Sequence, residues 1–234
     1  MAIIADKPYS LIDYAKQLDP SGQELAIAEE LSKSNDIIGD ALAVERSLDS
    51  GHEYAVRTGI PEGTWRRAYQ GIEPAKATTK VVVESYGTLS AYSVVDKLVA
   101  EKGGNVEGVR TGQSRAIIAG MSNTMAANLI YGNAGKNPER FTGLAARYCE
   151  LSGAESSRNV INAGGQKEGK NSSIYLVVWD TDKIFTFFPK GSKAGIQRLD
   201  HGLVNHIDAS GNEYPAYKEY FEWKLGLAVQ DWRF

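Results

Sequence analysis

The sequence predicts an α+β fold, and three observations carry the prediction. Gln113–Tyr131 places Ile117, Met121, Met125 and Leu129 on one helical stripe, which Ile118 widens. Asp40–Val95 reads as short β-prone runs separated by turn clusters. Beyond Gly164-Gly165 the chain becomes β-rich.

In chain order, the first elements are two short helices. Ser10 can cap one, with Leu11, Ala15 and Leu18 on a stripe. The break Asp19-Pro20-Ser21-Gly22 ends it, and Ser21 then stands three residues before Glu24, the spacing of a capping box, with Leu25, Ala28 and Leu31 following. Short helices with so little apolar surface are marginal alone, so these are expected to pack on another domain or subunit. Next come strands at Tyr54–Arg57, Trp65–Tyr69 and Lys80–Ser85, which read together as a long projecting hairpin. The helix over Gln113–Tyr131 would run about 28 Å and stop at Gly132. A hairpin is expected from Ile174–Trp179 and Lys183–Phe188 around Asp180-Thr181-Asp182. Gly191–Gly202 reads as a glycine-containing loop, followed by Leu203–Asp208, a turn at Ala209–Asn212, and a long apolar stretch from Tyr214 to Arg233.

Composition narrows the class. The 234 residues include 42% hydrophobic and 24% charged side chains, enough to bury a substantial core. A net charge of −3 lacks the basic excess that tight nucleic-acid binding requires, since that affinity comes from neutralising phosphates. Cys149 is the only cysteine, which excludes an intrachain disulfide and fits a reducing cytoplasm. No apolar run approaches the roughly 20 residues of a membrane helix, and the start lacks the pattern of a signal peptide. Asn171-Ser172-Ser173 is a glycosylation sequon by chance.

Candidate chemistry fails on spacing. Gly132-Asn133-Ala134-Gly135-Lys136 lacks the first glycine and the hydroxyl residue of a phosphate-binding loop, and it follows a helix instead of preceding one. His201 and His206 are five apart in a loop-and-strand region, where helical metal ligands would be four apart. Asp208–Asn212 alternates oxygen side chains like a calcium loop but lacks its glycine position and terminal glutamate; a hairpin turn explains it better. Cys149 has no histidine near it in sequence and reads as a small buried apolar group. No catalytic residue, cofactor or metal is expected. The remaining feature is Trp65-Arg66-Arg67-Ala68-Tyr69, rich in residue types favoured at protein interfaces. The competing reading is a strand that buries Trp65 and Tyr69 on its own hairpin.

Seven blocks stand out in order: Gly51–Pro61 with Thr64-Trp65-Arg66; Gln70–Thr79; Thr124–Gly132; Asn137–Leu144 with Arg147-Tyr148; Tyr175–Trp179; Phe188–Gly195; and Asp231-Trp232-Arg233. This series resembles one family of tailed-bacteriophage major capsid proteins. The resemblance runs in order over nearly the whole chain. It implies the Hong Kong-phage type of coat fold, with an N-terminal arm at 1–46 and an extended loop at 47–86. A peripheral domain with the long spine helix would span 87–170, and a β-rich axial domain 171–234. Family members continue past the last of these blocks, so the axial domain is expected to be incomplete, with Leu225–Val229 lacking strand partners.

The function so implied is that of a structural subunit of an icosahedral phage head, not an enzyme. It would associate with copies of itself as pentamers and hexamers, in company with scaffolding, portal or decoration proteins. It would enclose DNA without reading its sequence, touch no membrane, and be made in the host cytoplasm before entering the virion. The expected intersubunit residues are Trp65, Arg66, Arg67 and Tyr69 of the extended loop. A second set, Gly191, Ser192, Lys193, Ala194 and Gly195, would form an axial contact, its glycines allowing close backbone approach; a flexible turn is the competing reading. Alternatives are an encapsulin-like cage subunit around cargo proteins, a truncated prophage remnant that does not assemble alone, a tail or adaptor protein, and a Cys149 hydrolase.

Overall fold

The computed structural model describes residues 35–46, 51–59, 61–102, 104–153, 155–164, 172–208 and 210–231. The two expected N-terminal helices lie outside them. Helices and strands both occur, in two compact units of discontinuous sequence. The first takes its described residues from within 1–39, 88–127 and 195–223, and the second from within 40–87, 128–194 and 224–234.

The first unit contains most of helix α1 (Asp36–Asp40), most of strand β4 (Tyr86–Asp96), helix α2 (Lys97–Lys102), most of helix α3 (Val106–Tyr131), strand β6 (Gln197–Ile207) and the first part of strand β7 (Glu213–Val229). Asp96 caps α2 by accepting the Leu98 amide at 2.7 Å, which lets strand pass directly into helix. Val95, Val99, Ala100 and Val109 are buried together, with Val106 and Tyr217 packed against them.

Helix α3 starts seven residues before the expected Gln113. Gly108 and Gly112 mask its first turns in the sequence, each costing about 1 kcal/mol relative to alanine. Asn105 offsets part of that cost by accepting the Gly108 amide at 2.9 Å, an N-cap. Burial of Val109 and Ser114 anchors the rest. The expected stripe is present at Met121 and Met125, but Ile118 is exposed: one residue beyond Ile117, it has rotated off the packed face.

Strand β6 pairs antiparallel with β7 from Gln197↔Glu222 to Ile207↔Glu213. It therefore occupies part of what reads as a loop at Gly191–Gly202. A register shift between Asp200 and Gly202, where Gly202 has φ 68°, lets the strand absorb its glycine. The turn is held by Asp208, which accepts the Ser210 and Asn212 amides at 2.8 Å each, as the hairpin reading of this segment requires. Strand β4 also pairs with β7, where Tyr92 packs on Tyr220 at 4.9 Å between ring centroids.

The second unit holds strand β1 (Ala43–Arg46), the hairpin β2 (His52–Gly59) and β3 (Thr78–Glu84), helix α4 (Leu144–Arg147) and strand β5 (Ile184–Pro189). The end of β7 also belongs to it. Strand β5 is buried along its whole length, with β1 parallel on one edge and β7 antiparallel on the other, from Ile184↔Val229 to Phe187↔Gly226.

That pairing corrects two expectations. Leu225–Val229 is not left without partners: Leu227 and Ala228 are fully buried on β5. The hairpin of 174–179 with 183–188 does not form, because β1 and β7 already occupy both edges of β5. Trp179 makes a single bridge to Ile184, and residues 172–178 have no regular secondary structure. At Gly226 the Phe187 ring lies where a Cβ would stand, its Cε1 only 2.7 Å from that position. Only glycine admits the ring there.

Candidate intersubunit surface

The projecting hairpin is built by β2 and β3, in register from His52↔Glu84 to Arg57↔Thr79 with a shift before Gly59↔Thr78. Thr58 Oγ1 donates to Thr78 Oγ1 at 3.1 Å where the two strands part. At the root, Gly51 lies so close to the Glu84 carbonyl oxygen that any Cβ would collide with it. Tyr54, Phe185, Phe187 and Ala228 form a buried cluster there, flanked by Val44, Val56, Val82 and Tyr86.

One charged pair locks this root to α4. Arg147 donates to both carboxylate oxygens of Glu84, Nη1 to Oε1 at 2.5 Å and Nη2 to Oε2 at 2.7 Å. Its Nη2 also reaches the Leu227 carbonyl at 3.2 Å and the Thr142 carbonyl at 3.1 Å. The Tyr54 hydroxyl adds a third bond to Glu84 at 3.2 Å. Burial, with the Glu84 charge beside it, pushes the Tyr54 phenol well above its usual range. Burial lowers the Arg147 value, but hydrogen bonding and charge from Glu84 outweigh it, and the net shift is upward.

Beyond the paired strands, every residue from 61 to 77 is exposed. The expected strand at Trp65–Tyr69 is absent; the chain makes a turn at Ala68-Tyr69 instead. Gln70 N donates to the Arg67 carbonyl at 3.2 Å, and the Gln70 side chain accepts the Arg67 amide at 3.3 Å. Tyr69 sits at φ 67°, a left-handed conformation that costs a non-glycine residue about 1 kcal/mol or more. The self-burying reading of this segment is overturned: Trp65 is 100% exposed and Tyr69 107%. Arg66 and Arg67 are exposed with them, so the four expected residues stand on one solvent-facing segment.

The second set lies after β5. Gly191 and Gly195 have φ of 80° and 82°, values that need glycine. The Gly191 amide donates to Glu45 Oε1 at 3.0 Å, and Ser192 Oγ donates to the Pro189 carbonyl at 2.6 Å. Gly191, Lys193 and Ala194 are exposed, Ser192 and Gly195 half-buried. Gly191–Ala194 belong to the same unit as the hairpin, Gly195 to the other.

Sequence reasoning missed a buried charged cluster in the first unit. Glu219, 2% exposed, accepts Ser114 Oγ at 2.6 Å, Arg110 Nη2 at 2.7 Å, and Arg198 Nε and Nη2 at 3.1 and 2.8 Å. Arg110 Nη2 also reaches Asp200 at 2.6 Å. Burial raises the Glu219 pKa, but these bonds and charges outweigh it and hold the carboxyl below its usual range. The signal was a glutamate, Glu219, in alternation with Phe221, Trp223 and Leu225 on the buried face of β7. Cys149 is exposed, with Sγ 3.5 Å from the Ala146 carbonyl, which corrects its reading as a buried apolar group. Among the described residues no group of three or more His, Cys, Asp or Glu could hold a metal.

The comparisons with known proteins agree with this architecture. The family model described as major capsid protein GP7 matches residues 19–234. A chain from the near-atomic cryo-EM structure of bacteriophage Epsilon15 is 34% identical with a TM-score of 0.72; the match covers 99% of this chain and 70% of that one. A chain in the capsid of the native GTA particle matches with a TM-score of 0.54 and 11% identity, covering 93% of each chain. One from Microbacterium phage Oxtober96 also has a TM-score of 0.54 and 11% identity, covering 94% of this chain and 92% of that one. Both of these last two show the fold alone. No curated protein matches the sequence. The fold is the phage coat fold, and such chains self-assemble into capsid oligomers within the virion. The chain belongs to the major capsid protein GP7 family and is a structural subunit of a tailed-phage head shell.

Proposed function

We propose that copies of this chain associate as pentamers and hexamers, and that the 61–77 segment of each copy docks on its neighbour through Trp65, Arg66, Arg67 and Tyr69. The observation that carries this reading is the exposure of Trp65 and Tyr69, at 100% and 107%. A lone subunit gains nothing by holding two large aromatics in water, one of them in a strained turn. Tryptophan, tyrosine and arginine are the residues that most often supply interface binding energy once a partner desolvates them. In this reading 1–46 is the arm, 47–86 the extended loop, 87–170 the peripheral domain and 171–234 the axial domain. The turn Gly191-Ser192-Lys193-Ala194-Gly195 approaches its symmetry mates around the ring axis.

Head-to-tail contacts of this kind close into rings, and rings into a shell. Scaffolding, portal and decoration proteins are its natural companions. A net charge of −3 favours enclosing DNA by geometry over gripping its backbone. The subunit is made in the host cytoplasm and ends in the virion.

The test is a W65A/Y69A double variant, followed by size-exclusion chromatography and negative-stain electron microscopy. Both side chains are exposed, so the unassembled subunit should keep its stability to within about 0.5 kcal/mol, while rings and shells disappear. Particles forming at wild-type yield and concentration dependence overturn the assignment of these residues.

A further inference from the structure

The imidazole of His52 lies in the aromatic root of the hairpin. It stacks on Tyr54 at 5.3 Å between centroids and 22° between planes. It tilts against Phe185 at 5.5 Å and Phe187 at 5.6 Å, both on β5. The Arg46 guanidinium, from β1, lies 4.3 Å over the Phe185 ring and so shares the same aromatic platform. His52 Nε2 and Arg46 Nε are both buried without a hydrogen-bond partner among the described residues. Glu84, directly across from His52 in the β2–β3 ladder, is the carboxylate among the described residues that favours a charged ring. Its oxygens, however, are taken by Arg147 and Tyr54.

A neutral imidazole can leave one nitrogen bare in an apolar cluster at small cost. A protonated one cannot, because it brings a second N–H donor and a full charge to a site where Nε2 has no hydrogen-bond partner among the described residues and a cation already shares the platform. We propose that protonation of His52 releases the root of the β2–β3 hairpin from the β5 aromatic face, so that the hairpin is seated at neutral pH and loosened in mild acid.

The electrostatics agree in sign. Burial first, and then the Arg46 charge, hold the His52 pKa below its ordinary 6.5, and Glu84 opposes them only in part. Asp182 acts on Arg46, not on the ring. For a group whose folded pKa is depressed, the seating is complete above about pH 6.5 and is lost as pH falls through the lower folded value. The device concerns the root alone and stands whether or not residues 61–77 contact a neighbour.

Hydrogen–deuterium exchange of the full chain, read by mass spectrometry at intervals from pH 7.5 to 5.0 and corrected for intrinsic exchange, tests it directly. Protection of the His52–Tyr54 and Val82–Glu84 amides should fall by up to about tenfold for each pH unit below the folded pKa. The β6–β7 hairpin serves as internal reference and should keep its protection over the same range. H52F keeps the stacking without the titration, and H52Q removes both; each should show a flat profile at the root, higher for H52F. A flat wild-type profile overturns the proposal, as does a profile in H52F or H52Q that follows the wild type.

Discussion

Replacing Glu219 probes the buried charge cluster most sharply. The carboxylate is 2% exposed and accepts from three side chains on two elements, so Glu219→Ala removes their shared acceptor at once. Removing one partner of a buried ion pair typically costs about 3–5 kcal/mol, because the surviving charge stays buried without compensation. The partners here soften that value. Arg198 is 48% exposed and can turn to water, and Arg110 keeps Asp200 at 2.6 Å. Ser114 keeps its bond to the Arg110 carbonyl at 2.8 Å. Arg110 itself is only 13% exposed, so its lost contact remains the main penalty. The expected loss is therefore about 2–4 kcal/mol for Glu219→Ala, and about 1–2 kcal/mol for Glu219→Gln, which keeps an acceptor but not the charge. Urea denaturation of the unassembled subunit, followed by circular dichroism, measures both. A loss under about 0.5 kcal/mol for Glu219→Ala would show that the cluster is solvated in solution and that the reasoning is wrong.

Acid titration offers a second reading of the same carboxylate. Its folded pKa is depressed, so its contribution is present above its ordinary 4.5 and lost as pH falls through the folded value; the gap between wild type and Glu219→Gln should therefore close between about pH 5 and pH 3. Arg147→Ala leaves Glu84 with only the Tyr54 hydroxyl and should cost about 3 kcal/mol in the same denaturation assay, while Arg147→Lys, which loses the two-pronged geometry, should cost about 2 kcal/mol. Gly226→Ala forces a methyl into the Phe187 ring and should cost about 1–3 kcal/mol; Phe187→Leu in that background should recover part of the loss in a double-mutant cycle.

Much of the architecture was legible in residue pattern. The helix stripe at Met121, Met125 and Leu129, the β2–β3 hairpin and the Asp208 turn all follow from local chemistry, and local chemistry is what a sequence shows directly. The missed features share a different cause. Helix α3 begins at Val106 because Asn105 caps it and distant residues bury its first turns, neither of which periodicity registers. The 174–179 strand fails because β5 spends both edges on segments some 40 and 140 residues away in sequence, an outcome set by competition for edges and not by propensity. Trp65 and Tyr69 have the composition of a strand, but no backbone among the described residues offers them a ladder. The Glu219 cluster joins residues 21 to 109 positions apart, so no short motif announces it.

The interleaving of the two units has a consequence for biosynthesis. Each takes a described segment from beyond residue 194, 195–223 for one and 224–231 for the other. The emerging chain therefore carries the completed, aromatic-bearing hairpin tip long before β7 exists to cover β5. Between the synthesis of β5 and that of β7, the Phe185 and Phe187 faces lack their antiparallel partner. Non-local closure of this kind is slow and leaves aggregation-prone surface open on the ribosome. A chain that must later gather in high copy number thus passes through its stickiest state while still tethered, where a chaperone has the best access to it.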